Sequence, residues 1–386
     1  MATTTRSADT APETRGLGRT LRERVLRVAE LAATPLVPSD YLDVFNPLRA
    51  GAELRGRVVS VIPETEDAAT LVIKPGADWA GHIPGQYVRL GIDVDGVRLW
   101  RAYSLTHGPR ADGCISITVK AVPFGKVSNH IVRDARPGTL VHLEQAQGEF
   151  VLPTEGGKFL FVTAGSGITP VIGMLRNLFP VSDSGVVRLA RSSGYDITVV
   201  HVAPTEPDSI FIHNLRELAE AGMINLVARY DDQHGVLDVD DLSELVPDLT
   251  ERTTFACGPA GLLDALEQHH VELGLKLLTE QFRVTTLVAG EGGTVKFANG
   301  TIVEADGGRS ILDEAEDAGV LMPSGCRMGI CYGCVLPLRE GTVRDLRTGE
   351  ITTAAEGDGV KIQTCINAAA GSCSIDHLHT DPAQTP

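Results

Sequence analysis

The chain has 386 residues, 43% of them hydrophobic, and a formal net charge of −16 from 50 acidic and 34 basic residues. That length can bury two or three separate cores, and so acidic a balance argues against nucleic acid, whose phosphates reward Lys and Arg. No run approaches the roughly 18 apolar residues a membrane helix needs. The Thr-rich start "MATTTRSADTAPETRG" lacks the basic flank and apolar centre of a signal peptide, so a reducing, cytoplasmic setting is expected, in which the seven cysteines are poor candidates for structural disulfides.

In chain order, residues 1–50 form an N-terminal arm. Within it, "LGRTLRERVLRVAELAATPL" places Leu17, Leu21, Val25 and Val28 on one helical face and Arg19, Arg22, Arg24 and Arg27 around the rest. This pattern predicts an amphipathic helix over 17–33 that either packs on the protein body or makes peripheral contact with an anionic membrane surface.

Residues 51–153 read as short alternating strands split by Gly and Pro, the pattern of a small antiparallel β-barrel. Within it, "RLWRAYSLT" contains Arg101, Tyr103 and Ser104. An arginine can clamp a pyrophosphate, a tyrosine ring can stack on an isoalloxazine, and a serine hydroxyl can reach flavin N5. Downstream, "VKAVPFGKVSNHI" puts Gly125, Val127 and Ser128 at a helix start, where backbone N–H groups and a hydroxyl suit a phosphate. Together the two stretches resemble the FAD site of the ferredoxin–NADP reductase family. The G-x-x-S form of the second favours FAD over FMN. Without that pairing, both stretches read as plain barrel strands.

Over 154–278 the pattern changes to a doubly wound parallel α/β domain. "KFLFVTA" is a buried strand, "GSGITP" a tight turn with Gly165 and Gly167 placed for close phosphate approach, and "VIGMLRNLF" a helix. The strands "DITVVHVA", "INLVARY" and "TTFACGP" follow, separated by helical stretches. In the resembled family, a Cys-Gly-Pro at the end of the last of these lies where nicotinamide meets flavin, which implies that role for Cys257, Gly258 and Pro259. Cys257 otherwise reads as a small buried apolar residue. After the second strand "APTEP" offers Thr205 and Glu206 but no arginine, and Arg229 comes after the next; together they favour the 2′-phosphate of NADPH, with NADH possible. A linker over 279–292 carries Phe282, read as a core anchor rather than a flavin contact.

Residues 293–386 hold the densest chemistry. "VKFANGTIVEAD" predicts a hairpin turning at Asn299-Gly300 with type I′ geometry, and "SILDEAEDAG" a helix capped by Ser310 and Asp313 and ended at Gly319. "SGCRMGICYGCV" then supplies Cys326, Cys331 and Cys334, and the strand-like "VKIQTCI" supplies Cys365. Zinc sites usually pair two C-x2-C knuckles. Here C-x4-C-x2-C followed by a distant fourth cysteine is the plant-type [2Fe–2S] spacing. Glycines 325, 329 and 333 let backbone N–H groups turn toward the sulfurs. Hairpin, helix, cysteine loop and last cysteine resemble a plant-type ferredoxin domain, an α+β, β-grasp-like fold, which implies that the four cysteines are the cluster ligands. From residue 291 onward there are 14 acidic and 7 basic residues. The cluster Asp313, Glu314, Glu316 and Asp317 reads as a solvated face or as a docking surface for a basic partner. The pairs His269–His270 and His377–His379 read as solvated rather than as ligands.

The order of barrel, nucleotide domain and ferredoxin resembles one-component reductases that feed oxygenases, hydroxylases and desaturases. From "TPLVPSDYLDVFNPL" onward the chain resembles actinobacterial reductases serving a membrane-bound acyl-CoA desaturase. This implies a monomeric NADPH-dependent oxidoreductase in which hydride passes to flavin beside Ser104 and Cys257. Single electrons then go through the cluster to a terminal acceptor protein. A flavin-free electron carrier and a zinc-stabilised interaction protein are the alternatives, and the absorption spectrum separates all three.

Overall fold

The computed structural model describes residues 42–43, 45–94, 96–122, 125–179, 194–282, 289–324, 327, 329 and 332–377. The helix expected over 17–33, and Cys326, Cys331 and His379, lie outside them.

Strands β1 (Arg55–Thr65), β2 (Ala68–Pro75), β3 (Tyr87–Val94), β4 (Val97–Ser104), β5 (Ile115–Lys120) and β6 (Leu140–Leu143) form one antiparallel sheet ordered β4-β3-β6-β1-β2-β5. A bridge from Leu105 to Ile117 joins its two ends and closes a barrel. Alternate residues such as Val58, Leu71, Ile73, Val88, Leu90 and Ile117 point inward and are buried, as the period of two requires. Helix α1 (Lys126–Asp134) lies against the barrel and buries Val127 and Ile131.

The second unit is a parallel sheet of β7 (Gly157–Ala164), β8 (Tyr195–Ala203), β9 (Asn225–Tyr230), β10 (Thr253–Cys257) and β11 (Leu277–Glu280), ordered β11-β10-β7-β8-β9. Its strands are nearly continuous apolar runs because helices cover both faces. Helix α2 (Ile168–Leu178) and helix α3 (Ile212–Glu220) pack on one core, and α4 (Ala260–Leu273) on the other. Strand order reverses between β7 and β10, so the crevice above their carboxyl ends is the topological switch point at which such sheets bind ligands. Phe282 packs on the core beneath α2. His270 is buried on α4, its Nδ1 2.9 Å from the Leu266 carbonyl and its Nε2 2.9 Å from the Thr254 hydroxyl. That histidine, read as solvated, is a core residue.

The third unit contains β12 (Gly293–Phe297), β13 (Ile302–Ala305), β14 (Val335–Asp345), β15 (Ile351–Ala354), β16 (Lys361–Gln363) and β17 (Asn367–Ile375). Helix α5 (Ile311–Asp317) crosses this mixed sheet, ordered β13-β12-β17-β14-β15 with β16 beside β14. The Asp313 amide donates to Ser310 Oγ at 3.1 Å, and Ser310 Oγ donates to Asp313 Oδ2 at 2.8 Å, so the expected cap forms. The hairpin differs from expectation. Asn299 does not have positive φ, whereas Gly300 does, at 88°. With Gly300 N–H donating to Phe297 O at 2.9 Å and Phe297 N–H to Thr301 O at 2.9 Å, the loop is a turn completed by a left-handed glycine, not type I′. His377, also read as solvated, is buried edge-on against Phe297.

Candidate flavin, nucleotide and iron–sulfur sites

Strand β4 carries the first motif. Tyr103 packs against the barrel core, and enclosure pushes its hydroxyl above the ordinary tyrosine range. Ser104 is buried with its Oγ lacking any hydrogen-bond partner. An orphaned buried hydroxyl costs stability unless something else satisfies it, and a flavin nitrogen would. Arg101 donates to Trp100 O at 2.8 Å and reaches Glu316 Oε2 at 3.4 Å. Burial lowers its proton affinity first and Arg327 lowers it further, while Glu316 and Asp313 raise it, so a phosphate would claim this cation in competition with Glu316.

The second motif opens α1. Gly125 is its N-terminal cap residue in extended conformation. The Ser128 hydroxyl accepts from the Val122 amide at 3.2 Å and donates to Gly125 O at 3.4 Å, while Asn129 Nδ2 reaches both Val122 O and Gly125 O at 2.8 Å. Side chains of the first turn of α1 thus tie Val122 and Gly125 to the helix start. The Val127 side chain is buried in the barrel core, so only its backbone N–H could serve a phosphate. These residues fit FAD: an unpartnered hydroxyl, a desolvated cation and a helix start on adjoining barrel elements.

In the nucleotide domain Gly165 has φ 53° and, with Ser166 and Gly167, forms one 3₁₀ turn ahead of α2. A Cβ on Gly167 would lie 2.0 Å from the Cys257 carbonyl oxygen. The β7 and β10 loops therefore touch at the switch point, bringing together Gly165, Gly167, Cys257, Gly258 and Pro259, residues far apart in sequence. A Cβ on Gly173 would lie 2.2 Å from the Leu105 carbonyl, so α2 abuts the residue following Ser104. The Cys257 thiol is fully buried and its proton affinity raised, by burial first and then by Glu280. Thr205 donates to Asp208 Oδ2 at 2.7 Å. Arg229 reaches His234 O at 3.3 Å, with its Nε buried and without a partner. A cleft of about 490 Å³ lies beside this edge, lined by Glu206, Ser209, Phe211, Asn214 and Gln233 together with Glu64 from the barrel.

Sequence reasoning passed over Glu280, which stands opposite Cys257 in the β10–β11 register. Its Oε2 is buried without a partner, and burial pushes its pKa from the ordinary 4.5 up to about 8. The native state therefore holds one proton more than the unfolded chain between about pH 4.5 and 8. Stability contributed by the protonated carboxyl is present at the acid end of that window and declines as pH rises through it. Glu280→Gln is expected to flatten the fall in melting temperature between about pH 5.5 and 8.5. An undiminished fall in the variant, followed by circular dichroism, would assign the titration to another group.

The ferredoxin unit brings Cys334 and Cys365 together from two separate turns, both buried, with their sulfurs 3.1 Å apart. Cys365 stands in the turn between β16 and β17, not in a strand as expected, because Thr364 is drawn across: its amide and hydroxyl both donate to Cys334 O, at 3.2 and 3.0 Å. Gly329 has φ 76°, and a Cβ there would lie 2.6 Å from Arg347 Nη1. Arg347, a second group missed in the sequence, is held by Asp345 and also feels the charge of Cys365. Two converging thiols beside a guanidinium fit a thiolate-bound cluster.

The acidic helix behaves otherwise than a free docking face. Glu314 and Glu316 are mostly buried, Arg327 is paired with both Asp313 and Glu316, and Arg309 pairs with Asp317 at 2.5 Å. Across the domain boundary, Lys126 Nζ donates to Glu316 O at 3.1 Å, and Arg89 Nη2 donates to Ser324 O at 2.7 Å. The carboxyl end of α5 and Ser324 thus lie against the barrel.

A barrel with a flavin-suited strand, a doubly wound nucleotide domain and a thiolate-cluster fold on one chain define an electron-transfer flavoprotein. Residues 58–152 match the oxidoreductase FAD-binding domain family, and residues 296–370 the 2Fe-2S iron-sulfur cluster binding domain family. The chain is 45% identical over 360 residues, 91% of each chain, to an NADPH oxidoreductase of Mycobacterium tuberculosis. It is 26% identical over 359 residues to a glycine betaine monooxygenase reductase subunit of Pseudomonas aeruginosa, covering 83% of this chain and 94% of that one. Its fold is similar to that of phthalate dioxygenase reductase, with TM-score 0.58 and 22% identity over 83% of this chain and 97% of the other. The chain belongs to the NAD(P)H-dependent iron–sulfur flavoprotein reductases, ferredoxin-reductase-type oxidoreductases with a C-terminal [2Fe–2S] domain. When bound, FAD takes two electrons from NAD(P)H as hydride and releases them singly to the cluster.

Proposed function

We propose that the chain carries electrons from NADPH, in preference to NADH, through FAD and its [2Fe–2S] cluster to a terminal oxygenase. In this reading Arg101 and the Gly125–Ser128 turn hold the FAD diphosphate, Tyr103 and Ser104 address the isoalloxazine, and the Gly165–Gly167 and Cys257–Pro259 loops hold the nicotinamide end of the nucleotide. Thr205 and Arg229 address its 2′-phosphate. Cys326, Cys331, Cys334 and Cys365 ligate the cluster. The domain limits are those read from the sequence, 51–153, 154–278 and 293–386.

The observation that supports this reading most is the Arg89–Ser324 hydrogen bond of 2.7 Å, because it joins the flavin barrel to the ferredoxin domain at Ser324, which lies two positions before Cys326 in the chain. Electrons leaving flavin then need no second protein to reach the cluster. Anaerobic titration with NADPH tests it: flavin bands and the broad cluster absorption bleach together, and reoxidation follows when the acceptor is added. A colourless, zinc-containing protein would overturn the reading.

The acceptor is an oxygenase by analogy with the relatives that are named as oxygenase reductase components. A hydroxylase or a membrane-bound acyl desaturase is the second reading, favoured by the Arg-rich amphipathic pattern over 17–33, which would place this monomeric, cytoplasmic protein peripherally on the membrane. Among the described residues no helix is long and apolar enough to cross a membrane. Deleting residues 1–34 is expected to reduce binding to anionic vesicles and electron delivery to a membrane fraction while leaving NADPH-driven flavin reduction intact. Delivery unchanged by the deletion would remove the membrane reading.

A further inference from the structure

Both elements assigned to the FAD diphosphate are touched by the same end of the same helix of another domain. Arg101 on β4 reaches Glu316 Oε2 at 3.4 Å. Lys126, inside the Gly125–Ser128 turn, donates to the Glu316 carbonyl at 3.1 Å and lies 3.8 Å from Asp317 Oδ1. Glu316 is nearly buried, with 12% of its side chain accessible. The contact falls at the carboxyl end of α5, where the backbone dipole adds partial negative charge. Two carboxylates and a helix C-terminus thus crowd a place meant for a dianion. Within this cluster Arg101, Lys126, Arg309 and Arg327 face Asp313, Glu314, Glu316 and Asp317, with Asp317 shared between Arg309 at 2.5 Å and Lys126 at 3.8 Å, so the four cations are already matched by carboxylates.

We propose that Glu316 and Asp317 of the ferredoxin domain are positioning residues of the flavin site that act as internal antagonists of the diphosphate. They hold the guanidinium and ammonium groups on which the cradle depends, so FAD binding and seating of the ferredoxin domain on the barrel weaken each other. The coupling is reciprocal by linkage. Like-charge crowding in a poorly solvated place sets its sign, and salt diminishes it. This inference rests on the assignment of Arg101 and the Gly125–Ser128 turn to the diphosphate.

The test is FAD titration of the deflavinated, cluster-loaded full-length protein, followed by quenching of flavin fluorescence. Glu316→Gln is expected to bind FAD about three- to tenfold more tightly than wild type at low ionic strength, with the gap closing above roughly 0.5 M salt. Glu316→Asp, which keeps the charge, is expected to return toward the wild-type value. Asp317→Asn, at a side chain more than half exposed and so harmless to folding, is expected to shift affinity in the same direction by about twofold. Amide hydrogen exchange in α5 supplies the second readout. It should quicken on adding FAD to wild type and be fast in Glu316→Gln with or without FAD. Arg101→Gln separates the two ideas, since the cradle assignment requires it to weaken FAD binding. If Arg101→Gln leaves FAD affinity unchanged, the cradle assignment fails and takes the inference with it. If Arg101→Gln weakens binding while Glu316→Gln and Asp317→Asn leave it unchanged or weaken it, the antagonism is wrong and the cradle stands. Glu316→Asp behaving like Glu316→Gln would make the effect one of packing, and would also overturn it.

Discussion

Cys334→Ser is expected to abolish electron delivery to the terminal acceptor while leaving NADPH-driven ferricyanide reduction within about twofold of wild type. A serine hydroxyl is a weak acid and a poor ligand for iron, and Cys334 is buried at the meeting point of two turns whose sulfurs are 3.1 Å apart. None of Arg101, Ser104, Gly167 and Cys257 lies in the altered domain. Hydride transfer therefore persists, and ferricyanide can draw from the flavin. Measuring both rates on the purified variant, with cluster loss verified by its visible circular dichroism, decides the order of carriers. Acceptor reduction that survives without the cluster would make the flavin itself the exit.

Gly167→Ala is expected to cut the second-order rate constant for NADPH-dependent ferricyanide reduction about a hundredfold, the scale of loss when a reacting group is displaced by about 1 Å. The backbone there accepts alanine, with φ −60°, so strain is not the cause. The added Cβ would stand 2.0 Å from the Cys257 oxygen and 3.0 Å from the Gly258 nitrogen, and the β7 and β10 loops must part to admit it. Overpacking of this kind costs about 1–3 kcal/mol of stability, which lowers the melting temperature without emptying the FAD site. FAD content and dithionite reduction of the cluster should remain at wild-type level, because neither uses the crevice. An unchanged NADPH rate would mean that the nucleotide binds away from the switch point.

How much of this molecule its sequence determined follows from the range of the forces involved. Cysteine spacing, the R-x-Y-S strand and the change from alternating to continuous apolar strands are local patterns. They specified the [2Fe–2S] ligand set as an expectation, the barrel, the doubly wound sheet and the order of the three units. Ser310 capping is local too, and it formed as read. The misread features depend on what lies opposite. Asn299-Gly300 has the composition of a type I′ turn, but the pairing of Phe297 with Thr301 selects a longer loop in which only Gly300 takes positive φ. His270 and His377 look hydrophilic until Thr254 and Phe297 are folded against them. Glu280 in sequence is one more strand-end carboxylate. Only the β10–β11 register buries it beside Cys257 and raises its pKa to about 8. The acidic run on α5 shows the difference best. One-dimensional charge counting offers it to an outside partner, yet in three dimensions Arg101, Lys126, Arg309 and Arg327 reach it from both sides of a domain boundary. Charge pairing over a few ångströms is a property of tertiary contact, and separations of about two hundred residues carry no trace of it in the chain.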